Sequence, residues 1–428
     1  MLAMTVGLLG LWAVTLPSSA SAETLTVCPS GGVGGKRHCQ DRVGHGQCRG
    51  RQGRRGHRGC SFSTVGGAVA AASNGDVIRI GAGSYGGALR ISKNVTLQGA
   101  GQSRTTIRGG APVVSVAAGA HVRIVDLTVS GGTGDEGGGI ENEGQLSLTR
   151  TTVSGNAAGA DGGGIHNGGT LTLSSSTVSA NSAPQGGGGG IENAGTLTLT
   201  GSRIAENSTA LGEGGGLELL SSGTARLVGS TVTGNSANLD GGGISNLGTL
   251  TLTSSTVSGN TAQTGNGGGI ANGSGVEHTG GTVLLTASVV SGNDAGGGGG
   301  GIENGGSLTL NGTTVSGNSA AGSGGIGNGG TAVINNSLIQ DNSAGLGGGG
   351  GIKGGPDLSL TSTVVSGNST TGYGGGLEIQ GGPQTTLTQS LVTGNSAAGD
   401  GGGIFTSSPV TLDQTPVVAN TPDNCVGC

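Results

Sequence analysis

The chain has 428 residues, of which 103 are glycine, 1% are aromatic and 10% are charged, with a formal net charge of −5. Glycine at that level excludes an ordinary helical or doubly wound enzyme, because each glycine costs a helix interior about 1 kcal/mol. Nine prolines without a Gly-X-Y period exclude collagen, and the regular recurrence of Leu, Ile and Val excludes a purely disordered polar chain.

Residues 1–22 read as a secretory signal. The apolar run from Val6 to Leu16 is too short to span a bilayer. It ends at Ser19-Ala20-Ser21-Ala22, a small-residue cleavage pattern. No later stretch is apolar enough for a transmembrane helix, so the expected location is secreted, extracellular or at the cell surface. The cysteines Cys28, Cys39, Cys48, Cys60, Cys425 and Cys428 are even in number and confined to the two ends. In an exported chain they are disulfide candidates, with the pairing left open.

Residues 23–60 form a Cys-, Arg- and Gly-rich N-terminal segment, with a solvated, flexible insertion expected at 31–59. That insertion holds Lys36, Arg37, Arg42, Arg49, Arg51, Arg54, Arg55 and Arg58 against one acid, Asp41. A polyanion-binding arm is the sharper reading of the same residues. No aromatic interleaves the arginines, so no nucleic-acid partner is expected. Cys39 and Cys48 with His38, His45 and His57 lack a zinc-ligand spacing, and no cofactor is expected here.

Residues 61–110 read as an N-terminal cap and first coil. Thr64–Ser73 is a short apolar stretch that predicts a helix covering the open end of a stack, where strand edges would otherwise be exposed. Asp76–Ile80, Ala88–Ile91 and Asn94–Leu97 predict the first strands.

Repeats dominate 111–420, followed by a Cys tail at 421–428. Gly-Gly-Gly-Ile/Leu and its variants recur every 24–32 residues, ending at Ile140, Ile165, Ile191, Leu217, Ile244, Ile270, Ile302, Ile326, Ile352, Leu377 and Ile404. Val-Ser-Gly-Asn recurs in the same rhythm. Between them lies Thr-Leu-Thr-Leu-Thr, as at 196–200 and 249–253. That alternation is a strand with one buried face. The Val and Ile motifs begin two more strands, with Gly and Asn at the bends. No unit buries its few aliphatics alone. Stacked in register they form one continuous core. Parallel strands prefer right-handed crossovers. The fold class is therefore all-β: a right-handed, single-stranded parallel β-helix of roughly 12 coils, each about 25 residues long. Its bend asparagines predict a structural amide ladder through Asn156, Asn181, Asn207, Asn235, Asn260, Asn293, Asn318, Asn342, Asn368 and Asn395.

A resemblance follows from these residues. Cys60-Ser-Phe-Ser-Thr-Val-Gly-Gly-Ala-Val-Ala-Ala-Ala, Asn74-Gly-Asp-Val-Ile-Arg-Ile, Gly83-Ser-Tyr and Asn94-Val-Thr-Leu-Gln-Gly-Ala-Gly resemble the opening of pectin-lyase-like β-helix proteins. The Gly-Gly-Gly-Ile and Val-Ser-Gly-Asn pair is similar to the chlamydial polymorphic membrane protein repeat, with Val or Ile where that repeat has Phe. The resemblance spans nearly all of 60–420. It implies a β-helix and leaves the activity open.

The residue after each repeat Ile should point outward. There stand Glu141, His166, Glu192, Glu218, Ser245, Ala271, Glu303, Gly327, Lys353, Glu378 and Phe405. Glu192 and Glu218, about 5 Å apart on adjacent coils, form a candidate Ca²⁺ pair. Glu141, His166, Glu192 and Glu218 are the candidate acid/base cluster of a polysaccharide lyase or glycoside hydrolase. Signatures of polygalacturonases and pectate lyases are missing, as are phosphate loops and the Gly/Asp nonapeptide of calcium β-rolls. An insertion at 273–281, with Glu277 and His278, reads as a tolerated surface loop. From Ile124 onward 20 acids face only Arg150, Arg203, Arg226 and Lys353, an acidic excess of 16. Outward threonines Thr170, Thr172, Thr196, Thr198, Thr200, Thr249, Thr251 and Thr253 resemble the arrays of β-helical ice-binding proteins, although Thr is also a good strand former.

The leading expectation is a secreted or cell-surface β-helix with a structural, adhesive or polysaccharide-binding role and no catalysis. Its alternatives are a carbohydrate-active enzyme of the pectin-lyase-like fold and, third, an ice-binding protein. The expected partner is a polysaccharide or a cell-surface component.

Overall fold

The computed structural model describes residues 22–29, 60–273, 280–355, 357–381 and 384–428. All but Ala22 of the expected signal, the Arg-rich insertion with Cys39 and Cys48, and Glu277 and His278 lie outside them.

Each repeat contributes one strand to each of several parallel sheets. In the coil that starts at Ile191, a glycine-led strand (Ile191–Asn193) is followed by the long strand Thr196–Thr200, then Arg203–Ala205, then the two-residue strand Ser208–Thr209. Successive coils pair in strict register: Leu171 on Leu197 and Leu173 on Leu199, Val153 on Val178, Ile140 on Ile165. The long sheet has 15 strands, the glycine-led and valine sheets 14 each, and the two-residue sheet nine. At about 4.8 Å per coil the long sheet extends about 65 Å.

The coil count is close to the expected one, and the number of strands per coil is corrected. The sequence predicts roughly twelve coils, and 14 strands stack in the glycine-led sheet. The strands without the signature lie at the two ends, Leu89–Ile91 and Val114–Val116 at the N-terminal end and Cys425–Val426 at the C-terminal end. Three strands per coil are too few. Pairs such as Ser182–Ala183 and Ser236–Ala237 form a fourth sheet, too short to show a period.

The core is a single column of aliphatics, with Ile140, Leu148, Ile165, Leu171, Leu173 and Ile191 fully buried. Each such side chain contributes about 1.5–3 kcal/mol of burial. A helix, Val65–Ala71, covers the N-terminal end with Val65, Ala68 and Val69 buried. Thr64 caps it by accepting from Gly67 N–H at 3.2 Å. At its other end Lys93 Nζ donates to Ala70 O and Ala72 O at 2.9 and 2.6 Å, where a cation suits the last carbonyls. A strand not foreseen, Thr24–Val27, pairs with Val77–Ile80 and is joined to the cap by the Cys28–Cys60 disulfide. A second disulfide, Cys425–Cys428, closes the other end.

Candidate functional site

Before each triple glycine the chain forms an arch, and this arch decides what the glycine-led sheet presents. The row after the repeat Ile runs in register from Glu141 through His166, Glu192 and Glu218 to Lys353, Glu378 and Phe405. It points away from the aliphatic core, but the arches lie across it. Glu192 is 6% exposed and Glu378 2%. A methyl group on arch residue Gly187 would collide with Glu218 Oε2, and one on Gly348 with Glu378 Oε2. Glycine there makes room for a carboxyl beneath the arch. The outward row is a covered row, and periodicity alone does not reveal the cover.

Three carboxylates surround His166. Its Nδ1 lies 2.6 Å from Glu192 Oε2, and its Nε2 lies 3.6 Å from Glu143 Oε1 and 3.8 Å from Glu136 Oε2. The hydrogen bond to Glu192, opposed by burial and assisted by the charges of Glu192, Glu136 and Glu143, raises the imidazole pKa above its ordinary value. Glu141 is the register neighbour of His166, but the carboxylates paired with the ring are the other three. Glu136 and Glu143 escaped the sequence reading. Glu143 follows Glu141 by two, the spacing that returns a strand side chain to the same face.

Glu218 sits in register with Glu192. Burial, and then the charges of Glu192, Asp161 and Glu213, push its pKa up to about 8. Glu303 is pushed to about 7 by burial and Asp240, against Lys353. Glu378 is raised chiefly by burial, with Lys353 Nζ 3.7 Å from Oε2 opposing. The expected calcium pair thus consists of one carboxyl group hydrogen-bonded to the His166 ring and one that keeps its proton near neutrality. The proton on Glu218 opposes Ca²⁺, which takes ionised carboxylate oxygens. Among the described residues no three His, Cys, Asp or Glu side chains form a metal-holding group. Chemically, a hydrogen-bonded histidine–carboxyl pair beside a second, half-buried carboxyl can exchange protons. However, the His166 side chain is only 14% exposed and that of Glu192 8%.

The bend asparagines form a buried ladder. In every step from Asn156 to Asn420, the Oδ1 of one coil accepts from the backbone N–H and the Nδ2 of the coil before, at 2.9–3.0 Å. A second ladder was missed, although its signal was the recurring Asn two places after the repeat Ile. It runs Asn142–Asn167–Asn193 and, beyond Leu219, Asn246–Asn272–Asn304–Asn328, at 2.6–2.7 Å. Asn142 Oδ1 and Asn246 Oδ1, where each run starts, have no hydrogen-bond partner. Their register neighbours are Val116 and Leu219, which have no side-chain donor.

The long sheet differs from the covered row because its outward positions are open. Three columns run along it, such as Gln145–Thr170–Thr196–Thr224–Thr249 and Ser147–Thr172–Thr198–Arg226–Thr251. Along a strand these side chains stand about 6.6 Å apart, and between coils about 4.8 Å. Arg226, Leu284 and Val333 interrupt the middle column. Near its N-terminal end the face has a depression of about 260 Å³ lined by His121, Val122, Arg123, Gln145, Leu146, Ser147, Thr170 and Thr172.

Comparison with known proteins agrees with this architecture. A family model described as a right handed beta helix region matches residues 93–262. Winding and sheet order define the molecule as a right-handed parallel β-helix. Among curated proteins none matches. Solved structures similar to the chain include the Azotobacter vinelandii mannuronan C-5 epimerase AlgE4 A-module, with 14% identity and a TM-score of 0.43 over 84% of this chain and 92% of that one. Pectate lyase Pel9A has 14% identity and a TM-score of 0.31 over 85% and 75%. A pectin methylesterase in complex with a hexasaccharide has 13% identity and a TM-score of 0.32 over 54% and 76%. Among the described residues no helix is long and apolar enough to cross a membrane.

Proposed function

We propose that the chain is a non-catalytic, polysaccharide-binding β-helix that works outside the cell as a structural or adhesive rod. The observation carrying this reading is the long sheet of 15 strands, whose repeat coils present columns made mostly of hydroxyl and amide groups in register. A polymer that repeats its own hydroxyls along an extended chain meets many equivalent weak contacts there. Linked contacts of that kind gain by effective concentration. Arg123 and His121, exposed at the depression, supply charge-assisted donors. Disulfides at both ends suit an oxidising compartment.

The test is a polysaccharide array probed with the purified chain, run beside lyase and reducing-end assays. Retention of an extended polymer without turnover is expected, with retention lost in an Arg123→Glu, Thr172→Lys double variant. Robust turnover would overturn the non-catalytic reading.

A second reading, a lyase or hydrolase acting at Glu141, His166, Glu192 and Glu218, is supported by the hydrogen-bonded histidine–carboxyl pair beside Glu218. It requires the arches to admit a sugar. Turnover that disappears in His166→Ala would favour it. Turnover that survives both His166→Ala and Glu192→Gln would place the chemistry elsewhere.

A further inference from the structure

Aromatic side chains are nearly absent from this chain, and the positions of the few are informative. Phe62 and Tyr85 are buried at the N-terminal end, and Trp12 lies outside the described residues. The other two, Tyr373 and Phe405, stack on each other at the rod surface, with ring centroids 4.9 Å apart and planes 30° apart. The core does not require them, since the repeat coils fill it with aliphatics. Tyr373 is 46% exposed. It stands on the arch before Leu377, and Phe405 follows Ile404 one coil further, in register with Glu378. A methyl on Gly399 would approach Tyr373 Cδ1 and Cε1 to 2.8 Å, so glycine there seats the ring. The backbone of Tyr373 accepts from Gly349 N–H of the preceding arch at 3.0 Å.

Polar groups border the pair. Glu378 accepts from Gln380 at Oε1 and lies 3.7 Å from Lys353 Nζ at Oε2, with the lysine side chain 39% exposed. Lys353 is the one Lys or Arg after Arg226 in the whole sequence. A stacked pair left open to water forgoes burial worth keeping. The C–H face of a pyranose covers such a surface, while donors and acceptors at the rim fix its hydroxyls.

We propose that Tyr373 and Phe405, with the part-exposed Lys353 and the exposed Gln380 beside the buried Glu378, form a binding subsite for one neutral pyranose unit of a polysaccharide. This rests on the polysaccharide reading above and adds a second contact, on a different face. Neutral sugars are favoured because the acidic excess of 16 after Ile124 repels polyanions.

Affinity electrophoresis of the purified chain tests it, in gels holding hydroxyethyl cellulose, a soluble β-1,3-glucan or galactomannan, with alginate as the acidic control. At least one neutral polymer should retard the chain. Tyr373→Ala should weaken that interaction about tenfold, and Tyr373→Phe should preserve it. Equal retardation of Tyr373→Ala and the unaltered chain would overturn the subsite, as would no retardation by any neutral polymer. The Arg123→Glu, Thr172→Lys variant separates the two claims. Binding lost there and unchanged in Tyr373→Ala removes the subsite and keeps the long-sheet reading; the opposite pattern keeps the subsite and removes the long-sheet reading.

Discussion

Glu218 concentrates the electrostatics of the covered row in one carboxyl. Its ordinary pKa of 4.5 becomes about 8 in the folded chain, so between those values the folded state holds a proton that the unfolded state has released. Stability is then fully present below about pH 4.5 and is lost as the pH rises toward 8. Glu303, raised to about 7, and His166, raised by Glu192, act with the same sign. Asp76 and Asp126, lowered by backbone N–H groups and by Arg150 respectively, act oppositely, and only in acid. The thermal midpoint should therefore be higher near pH 5 than near pH 8. Glu218→Gln should raise the midpoint at pH 8 and flatten the profile; an unchanged slope in that variant would contradict the assignment. Calcium titration at pH 7 should give no saturable heat that disappears in Glu192→Ala. The adjacency of Glu192 and Glu218 was legible from the repeat step of 26 residues. Their cover was not, because it depends on a glycine in a neighbouring arch. The amide ladder gives a further prediction. Asn260→Leu leaves the Asn235 backbone N–H without an acceptor and takes one of the three acceptors of Asn235 Nδ2, which keeps the carbonyls of Ile204 and Thr233, and should cost roughly 2–4 kcal/mol by urea denaturation.

Strands, bends and arches carry different amounts of information. Thr-Leu-Thr-Leu-Thr announces its strand because alternation survives in five residues. The Ser-Ala strands have two residues each, so pairing with neighbouring coils defines them and no local pattern does. Glycines also divide by element. At the bend after the valine strand, Gly155 has φ 64° and nothing within 4 Å of an added methyl, and Ala180 holds the equivalent corner at φ 52°. Gly155→Ala should cost only about 1 kcal/mol. Under the arch, a methyl on Gly163 would strike the carbonyls of Ser182 and Gly189. Gly163→Ala should cost about 3 kcal/mol or more, by displacing a coil from its neighbour. Equal effects of the two substitutions on the denaturation midpoint would show that glycine serves chain flexibility and not close approach.

As a whole the molecule is a stack in which every layer contacts the layers directly above and below, and small-angle scattering should report an elongated particle instead of a sphere. Fold class was readable in the sequence because stacking repeats a local rule, and the rule is written into each unit. What the rod binds was much less readable, since exposed faces obey no such rule. One detail shows how forgiving the scheme is. Between Ile270 and Ile302 the repeat lengthens to 32 residues, yet Ile270 still sits on Ile302 and Asn272 on Asn304. The strands on either side, Ile270–Asn272 and Thr282–Thr286, keep their places in the layer. Gene duplication can therefore lengthen or shorten such a molecule by whole units, setting its reach by copy number while each joint stays the same.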